Sequence, residues 1–325
     1  MRDRSHTPLP YEGLRLLAIH AHPDDEASKG AATSAKYAAL GARVMVITMT
    51  GGEAGDILNP ALEGSPAAVR DIAGLRRDEM ATAARTLGVE HVWAGYVDSG
   101  LPDGDPDELT PRGSFYRVPI EVSARTLVSA IRRFRPHVAT TYDELGGYPH
   151  PDHIRTHDVS MVALEQAAQA GTNPELGAPW RVQKVYYNQD LSARKFLAIH
   201  HLIEEEGGES PFEEQLEWFS KREAERHTWL TARVPSGEFF PVRDRALIAH
   251  ATQIDPNGGF FVGSRAAARR HWLTEEFELA SDHTGRPELD RSQDFHETDL
   301  FAGVTDDDGD VVPDDLMPTN LEEDR

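Results

Sequence analysis

The chain contains no cysteine among its 325 residues, and this absence limits the chemistry open to it. Disulfides, thiolate metal ligands and a cysteine nucleophile are all excluded. Any metal site must therefore use histidine and carboxylate side chains. The first residues lack the apolar run of a signal peptide, and no segment approaches the roughly 18 apolar residues that span a membrane. We therefore expect a cytoplasmic protein.

Basic residues are also scarce. The chain has 33 Lys and Arg against 55 Asp and Glu, which gives a formal charge of -22. This charge disfavours binding to nucleic acid or to an anionic membrane surface, so we expect a small-molecule partner. Nine of the acids lie in residues 305–325, beside a single arginine. That composition predicts an acidic disordered tail over residues 304–325.

Strand-like and helical patterns alternate along the first part of the chain, which predicts a doubly wound, mostly parallel α/β sheet of Rossmann-like type. We assign this catalytic core to residues 12–190. Strands are predicted at 14–22, 43–50, 91–97, 137–143 and 182–190, and helices at about 26–40, 66–87, 119–134 and 152–170.

The pattern changes after residue 190. Charged helical stretches follow, among them TEEFELA at 274–280, with one short strand candidate in TWLTARV at 228–234. We predict that residues 191–303 form a partly helical cap that completes the same catalytic domain.

A dinucleotide-binding domain would carry G-x-G-x-x-G after its first strand, so that backbone N–H groups could receive a pyrophosphate. This chain has Pro23-Asp24-Asp25-Glu26 there instead. Carboxylates at that position repel phosphate, which argues against NAD or ATP binding despite the predicted fold.

Two clusters of histidine and carboxylate follow predicted strands. The first strand runs into HPDDE at 22–26, and the fourth runs toward HPDH at 150–153. Alone, the first cluster could be a helix cap, since acids in a first helical turn interact well with the helix dipole. The carboxyl ends of parallel strands meet at one edge of a sheet, however, so we expect the clusters to meet and form a two-histidine, one-carboxylate metal site. We interpret the nearby His20 and His157 as structural.

Such ligands serve two kinds of catalysis, hydrolysis by metal-activated water and oxygenation on non-haem ferrous iron. Oxygenases of that kind occupy all-β jelly rolls, whereas this chain alternates helix and strand, so hydrolysis is favoured. The two clusters contain more histidines and carboxylates than three metal ligands require. Hydrolysis accounts for the others, because it needs a base outside the ligand set and a donor for the developing charge.

The paired motifs HPDD (22–25) and HPDH (150–153) resemble those of the LmbE-like or PIG-L zinc N-deacetylase superfamily. The resemblance extends over most of residues 13–303. It implies an LmbE-like deacetylase fold and one zinc ion bound by His22, Asp25 and His153, with ferrous iron as the other metal that these ligands accept.

The resemblance also assigns catalytic roles. Asp24 would be the general base, and His150 the electrophilic or acid partner. Asp152 would orient His150, while Tyr148 would lean over the metal and polarise the scissile carbonyl. Family positions near the sugar and inositol hydroxyls correspond to Lys29, Asp56, Arg76 and Asp98, with Asp56 standing where family members usually have Glu.

The function implied by the resemblance is hydrolysis of the amide in mycothiol S-conjugates, a pseudo-disaccharide thiol conjugate, to a mercapturic acid and glucosaminyl-inositol. The alternatives are deacetylation of N-acetylglucosaminyl-inositol and a related amidase reaction of secondary metabolism. A non-catalytic sugar-binding module would be expected to lose a ligand or the base. His22, Asp24, Asp25 and His153 are all present, which favours an enzyme. The sequence does not indicate the oligomeric state.

Overall fold

Seven strands form a single sheet in the order β3-β2-β1-β4-β5-β7-β6. The structure is a computed structural model that describes residues 9–190, 192–205, 207–208, 210, 212, 216–221, 227–258, 265–290 and 295–314. The strands are β1 (Arg15–His20), β2 (Arg43–Thr50), β3 (Glu90–Tyr96), β4 (Val138–Thr141), β5 (Lys184–Asn188), β6 (Ala232–Pro235) and β7 (Thr274–Asp282).

Helices connect the strands and cover the sheet. They are α1 (Asp25–Ser28), α2 (Ala31–Ala39), α3 (Pro66–Leu87), α4 (Pro106–Leu109), α5 (Ile120–Phe134), α6 (Pro151–Ala168), α7 (Ala193–Glu205), α8 (Phe240–Ala249) and α9 (Ala266–His271). Residues 216–221 are also helical. Within the described ranges, no helix is both long and apolar enough to cross a membrane.

The strands β1 to β5 run parallel, whereas β7 pairs antiparallel with β5, and β6 with β7. The five predicted strands of the core are present, and the predicted α/β fold class is confirmed. The strand order reverses between β1 and β4. In open α/β sheets, this reversal opens a crevice beyond the strand ends, where ligands bind.

Every residue of β1 is buried, because helices cover both faces of the sheet. On one face, Leu17 and Ile19 pack in a cluster that includes Leu127 of α5 and Val159 of α6. On the other face, Ala18 packs against Met80 of α3. Each fully buried leucine or isoleucine contributes roughly 1.5–3 kcal/mol, so the strand that leads into HPDDE is firmly placed.

The segment TEEFELA was expected to be a charged helix, and this prediction is wrong, since residues 274–282 form β7. β7 lies between β5 and β6, and its Glu275, Glu276 and Glu278 are buried. Burial of a carboxylate is tolerated where donors satisfy it. Glu275, for example, accepts the N–H groups of Ala32 and Thr33 in the first turn of α2, at 3.1 and 2.7 Å.

Residues 191–303 thus supply two strands to the central sheet as well as helices. The short strand expected near 228–234 is present as β6. The division of the chain into a core and a cap stays a prediction.

The predicted disordered tail needs correction for residues 304–314. Thr305 and Val311 form an antiparallel bridge, and Val312 packs with the core of the sheet. Asp307 accepts two hydrogen bonds of 2.8 Å from the guanidinium of Arg15, the first residue of β1. A paired, hydrogen-bonded acid can join the fold despite its charge. Residues 315–325 lie outside the described residues.

We predict that truncation after Thr305 lowers the free energy of unfolding by about 1–3 kcal/mol, since it removes a buried valine and leaves Arg15 without its carboxylate. Turnover of the folded protein should be unchanged, because this turn lies at the amino end of β1, away from the strand ends that carry the motifs. Denaturant unfolding measures the effect, and truncation after Asp314 is the matched control. Equal unfolding free energies for the two truncations would contradict the prediction.

Candidate metal centre

The two predicted clusters meet at the reversal point of the sheet. His22 follows β1, and His153 lies in the first turn of α6, which follows β4. The helix begins at Pro151, where proline is tolerated because its missing N–H would be unpaired anyway. His150 caps the helix by accepting the N–H of Asp152 at its Nδ1, over 3.1 Å.

Three potential ligand atoms converge in this crevice. Nδ1 of His22 lies 3.2 Å from Nε2 of His153, and Oδ2 of Asp25 lies 3.7 and 3.4 Å from these two nitrogens. Ligands about 2.0–2.1 Å from a tetrahedral zinc would be about 3.3 Å apart. All three side chains are buried. The spacing and the donor types therefore fit a single divalent cation with a position left open.

The outer nitrogens of both imidazoles are occupied, which directs their inner nitrogens toward the cluster. Nδ1 of His153 donates to the carbonyl oxygen of Gly146 over 2.9 Å. Nε2 of His22 faces Oδ2 of Asp152 at 3.4 Å and Oδ1 of Asp98 at 3.6 Å. Acceptors at these positions hold the ring proton on the outer nitrogen, so each inner nitrogen presents a lone pair, as metal-binding histidines do.

The cluster also favours positive charge electrostatically. Burial alone would lower the pKa of His22, but Asp152, Asp98 and Asp25 outweigh it and raise this pKa to about 10. A cation at this point, whether proton or metal, is therefore stabilised by the surrounding carboxylates.

Asp25 is held in place by donors on both carboxylate oxygens. Oδ1 accepts a 2.6 Å bond from Nζ of Lys29, and Oδ2 accepts one of 2.6 Å from the hydroxyl of Tyr142. Burial opposes ionisation, but the positive charge of Lys29 outweighs it and holds the pKa of Asp25 well below its usual value. Lys29 was predicted to contact the substrate; it borders the cavity, but its ammonium is committed to Asp25.

Sequence reasoning missed Tyr142. It lies just past β4, beside the loop that carries HPDH, and its hydroxyl also accepts the N–H of Ala21 over 2.9 Å. Its position at the end of a predicted strand was the available signal. The same strand-end argument that located the two motifs therefore applies to this tyrosine.

Asp24 points away from the cluster, toward the cavity. Its side chain is 25% exposed, whereas that of Asp25 is 4% exposed. Burial raises the pKa of Asp24, against the effect of the neighbouring Arg76. An accessible carboxylate with a raised pKa beside the ligands is suited to accept a proton.

Arg76 contacts the Asp24 segment rather than solvent. Its guanidinium donates to the carbonyl oxygens of Gly52 and Pro23 at 2.6 and 2.7 Å and to Oδ2 of Asp24 at 3.2 Å. The residue is only 3% exposed, which leaves little surface for the predicted contact with substrate.

Asp152 has a different partner from the one expected. Its carboxylate lies near the His22 ring, 3.4 Å away, and accepts the backbone N–H and the hydroxyl of Ser99. Only its backbone N–H reaches His150. The predicted orientation of His150 by the Asp152 carboxylate is therefore replaced by orientation of His22, because the start of α6 turns this side chain inward.

The remaining predicted residues surround the cluster unevenly. The ring of Tyr148 lies 4.5 Å from that of His153, between centroids, and borders the cavity. Asp98 is 4% exposed and contacts His22, so it supports a ligand rather than facing solvent. Asp56 is exposed, and its carbonyl oxygen accepts a 2.9 Å bond from Gln253.

A cavity of about 560 Å³ opens beside Asp24 and Asp25. One wall comes from the loop after β2 and another from the turn after α8, and the N–H of Leu58 joins them by donating to the carbonyl oxygen of Thr252 over 2.9 Å. Its apolar lining is formed by Leu58, Pro60, Leu247 and Ile254, and its polar lining includes Ser28, Lys29, Tyr148 and Gln253.

A doubly wound sheet that brings a two-histidine, one-carboxylate cluster and a further carboxylate to its reversal point is the arrangement of a hydrolase with a site that could hold a metal ion. The sequence profile of the PIG-L family, described as GlcNAc-PI de-N-acetylase, matches residues 17–164. This chain belongs to the PIG-L family, as its paired motifs predicted, and is a hydrolytic enzyme.

Relatives extend the match over nearly the whole chain. The chain is 50% identical over 297 residues to the mycothiol S-conjugate amidase of Streptomyces coelicolor, covering 90% of this chain and 98% of the relative. It is 36% identical over 303 residues to the 1D-myo-inositol 2-acetamido-2-deoxy-alpha-D-glucopyranoside deacetylase of Streptomyces avermitilis, covering 89% and 97%. The structure of N,N'-diacetylchitobiose deacetylase from Pyrococcus horikoshii shares the fold, with a TM-score of 0.55, 18% identity and coverage of 82% and 83%.

We predict that His153→Ala loses most of its bound metal and its activity together, because one of three converging ligands is removed. The matched control is His157→Ala on the same helix, since His157 lies one turn further along and its Nδ1 donates to the carbonyl oxygen of Tyr142 instead. Elemental analysis of the purified variants measures the stoichiometry. Full metal content in His153→Ala would exclude this ligand.

Proposed function

We propose that this enzyme hydrolyses the amide of mycothiol S-conjugates, releasing a mercapturic acid and glucosaminyl-inositol. The observation that carries this proposal is the 50% identity to a relative named mycothiol S-conjugate amidase, over 98% of the length of that relative. The site is consistent with it, because the candidate ligands and the neighbouring carboxylate are all in place.

The metal is proposed to be a single zinc ion on His22, Asp25 and His153, with ferrous iron as the other metal that two imidazoles and a carboxylate accept. When bound, such a cation polarises the amide carbonyl and lowers the pKa of water. The residues around it then supply binding, orientation and proton transfer.

Asp24 is proposed as the general base. Unlike Asp25, Asp24 does not belong to the ligand cluster. It lies beside the cluster and borders the cavity. Its carboxylate takes a proton from the attacking water and passes it to the leaving amine nitrogen, which becomes the amino group of glucosamine. Arg76, at 3.2 Å, restricts the direction of this carboxylate.

His150 and Tyr148 are proposed to stabilise the negative charge that develops on the carbonyl oxygen. Burial and the neighbouring His22 lower the pKa of His150 to about 4, so its ring is neutral at pH 7. Because Nδ1 accepts the N–H of Asp152, the ring proton lies on Nε2. His150 therefore acts as a hydrogen-bond donor rather than as a charged acid. The Tyr148 ring lies 6.0 Å from that of His150, between centroids, and its hydroxyl is proposed as a second donor.

The cavity supports the conjugate as substrate. The conjugate differs from the acetylated precursor by an N-acetylcysteine that carries a sulfur substituent, and this substituent needs contacts of its own in the cavity. The apolar side chains of Leu58, Pro60, Leu247 and Ile254 fit a hydrophobic substituent, because burying apolar surface contributes about 25 cal/mol per Å².

Deacetylation of N-acetylglucosaminyl-inositol is the second candidate, since relatives with that activity in their names are 36% identical or more to this chain. We predict that the enzyme releases the mercapturic acid from bimane-labelled mycothiol with a higher kcat/KM than it releases acetate from the precursor. Chromatographic assay of both products from one preparation decides between them. A higher kcat/KM for acetate release would favour the deacetylase.

We predict that Asp24→Asn keeps its metal and its substrate affinity while kcat falls by about 10²- to 10⁴-fold, the usual share of acid–base catalysis. Asp25→Asn should instead lose metal affinity, because an amide donates less charge to a cation, and added zinc should partly restore its rate.

Kinetics and metal content of the two variants, compared in parallel, test this division of roles. Metal lost from Asp24→Asn and retained in Asp25→Asn would reverse the assignments of base and ligand.

A further inference from the structure

The backbone of Asp24 adopts a conformation that L-amino acids rarely take. Its φ is 121° and its ψ is -26°, in a region open to glycine and strained for other residues. Such strain persists only where the surroundings impose it, and it is concentrated at functional sites. Contacts in the folded protein must therefore hold Asp24 in this state.

Glu26 provides one of these contacts. The N–H of Asp24 donates to Oε2 of Glu26 over 3.0 Å. Glu26 is 2% exposed, so its carboxylate has no alternative partner in solvent. The direction of this N–H is consequently set by the place where the Glu26 carboxylate is held.

His250 holds the other oxygen of that carboxylate. Its Nε2 lies 2.6 Å from Oε1 of Glu26, although the residues are 224 positions apart. The ring is fully buried. It comes from a closed turn after α8, in which the carbonyl oxygen of His250 accepts the N–H groups of Gln253 and Ile254 at 2.9 and 3.0 Å.

Arg76 holds the same peptide group from its opposite side. The carbonyl of Pro23 and the N–H of Asp24 belong to one peptide plane, and Arg76 donates to that carbonyl over 2.7 Å. Glu26 and Arg76 together therefore prevent this plane from rotating. A flip of the peptide would relax φ at Asp24 and redirect its side chain.

We propose that Glu26 and His250 are positioning residues that maintain the strained backbone of Asp24 and thereby aim its carboxylate at the reacting water. The inference rests on the proposed role of Asp24 as the general base. It adds a link between the second half of the chain and the catalytic carboxylate, because the direction of Asp24 depends on a histidine that does not touch the substrate cavity.

Glu26→Leu tests the proposal, since leucine fills similar space without an acceptor. We expect kcat to fall about 10²-fold, the order of loss that follows a small displacement of a catalytic group, while KM and bound metal stay within about twofold of the parent values. Glu26→Gln should retain most of kcat, because its amide oxygen still accepts the N–H of Asp24 and its NH₂ group can donate to His250.

A matched control is Glu297→Leu, which removes another buried carboxylate, paired with Lys184 at 2.5 Å at the amino end of β5. We expect lower stability and unchanged kcat per folded molecule. The proposal would be overturned if kcat of Glu26→Leu fell no more than kcat of Glu297→Leu. It would also be overturned if Glu26→Leu lost bound metal in proportion to its loss of kcat.

The double variant Asp24→Asn/Glu26→Leu separates this proposal from the assignment of the base. If Glu26 acts through Asp24, the double variant should be no slower than Asp24→Asn alone, because coupled residues are not additive. A further fall of about 10²-fold, the full effect of Glu26→Leu, would overturn the positioning role. Full activity in Asp24→Asn would instead overturn the role of Asp24. Should Glu26→Leu not fold, His250→Leu, which removes the donor to Glu26, is combined with Asp24→Asn, and the same two outcomes apply with the effect of His250→Leu alone as the reference.

Discussion

The site depends on keeping Asp25 ionised while it is buried. An isolated carboxylate in a protein interior costs several kcal/mol and tends to take up a proton. Here Lys29 and Tyr142 donate to the carboxylate. The inner nitrogens of His22 and His153, which present lone pairs, lie 3.7 and 3.4 Å from its Oδ2. Three electron-pair donors held this close repel one another unless a cation lies among them. Lys29 and Tyr142 stabilise the charge of Asp25, and the cluster of lone pairs around it favours a cation, either a metal ion or a proton.

Sequence predicts the location of this site because the information is local. β1 and β4 are short apolar runs, each followed by a polar motif, and parallel strands in a doubly wound sheet present their carboxyl ends at one edge. Pattern alone thus brings HPDD and HPDH together. The five parallel strands and the helices between them follow from the same periodicity, since alternating elements that are buried on both faces leave a clear hydrophobic signal.

The predictions from sequence are wrong where a side chain is hydrogen-bonded by a partner that is distant along the chain. Three glutamates in TEEFELA resemble a solvated helix, yet they are buried in β7 because donors from α2 and other segments reach them. Asp307 looks like part of a charged tail, yet Arg15 binds it. Asp152 stands beside His150 in sequence, but its carboxylate faces His22. Each case depends on tertiary hydrogen bonds, which neither spacing nor composition encodes.

The adjacent carboxylates Asp24 and Asp25 show why strain is useful at this point. Successive residues of a regular helix or strand would place the two side chains in fixed relative directions, about 100° apart or on opposite faces. The positive φ at Asp24 breaks that regularity one residue before α1 begins. Asp25 can then enter the buried cluster, while the more exposed Asp24 stays outside it. The proposed ligand and the proposed base must differ in exposure and in proton affinity, and a single strained residue separates the two environments within one step of the chain.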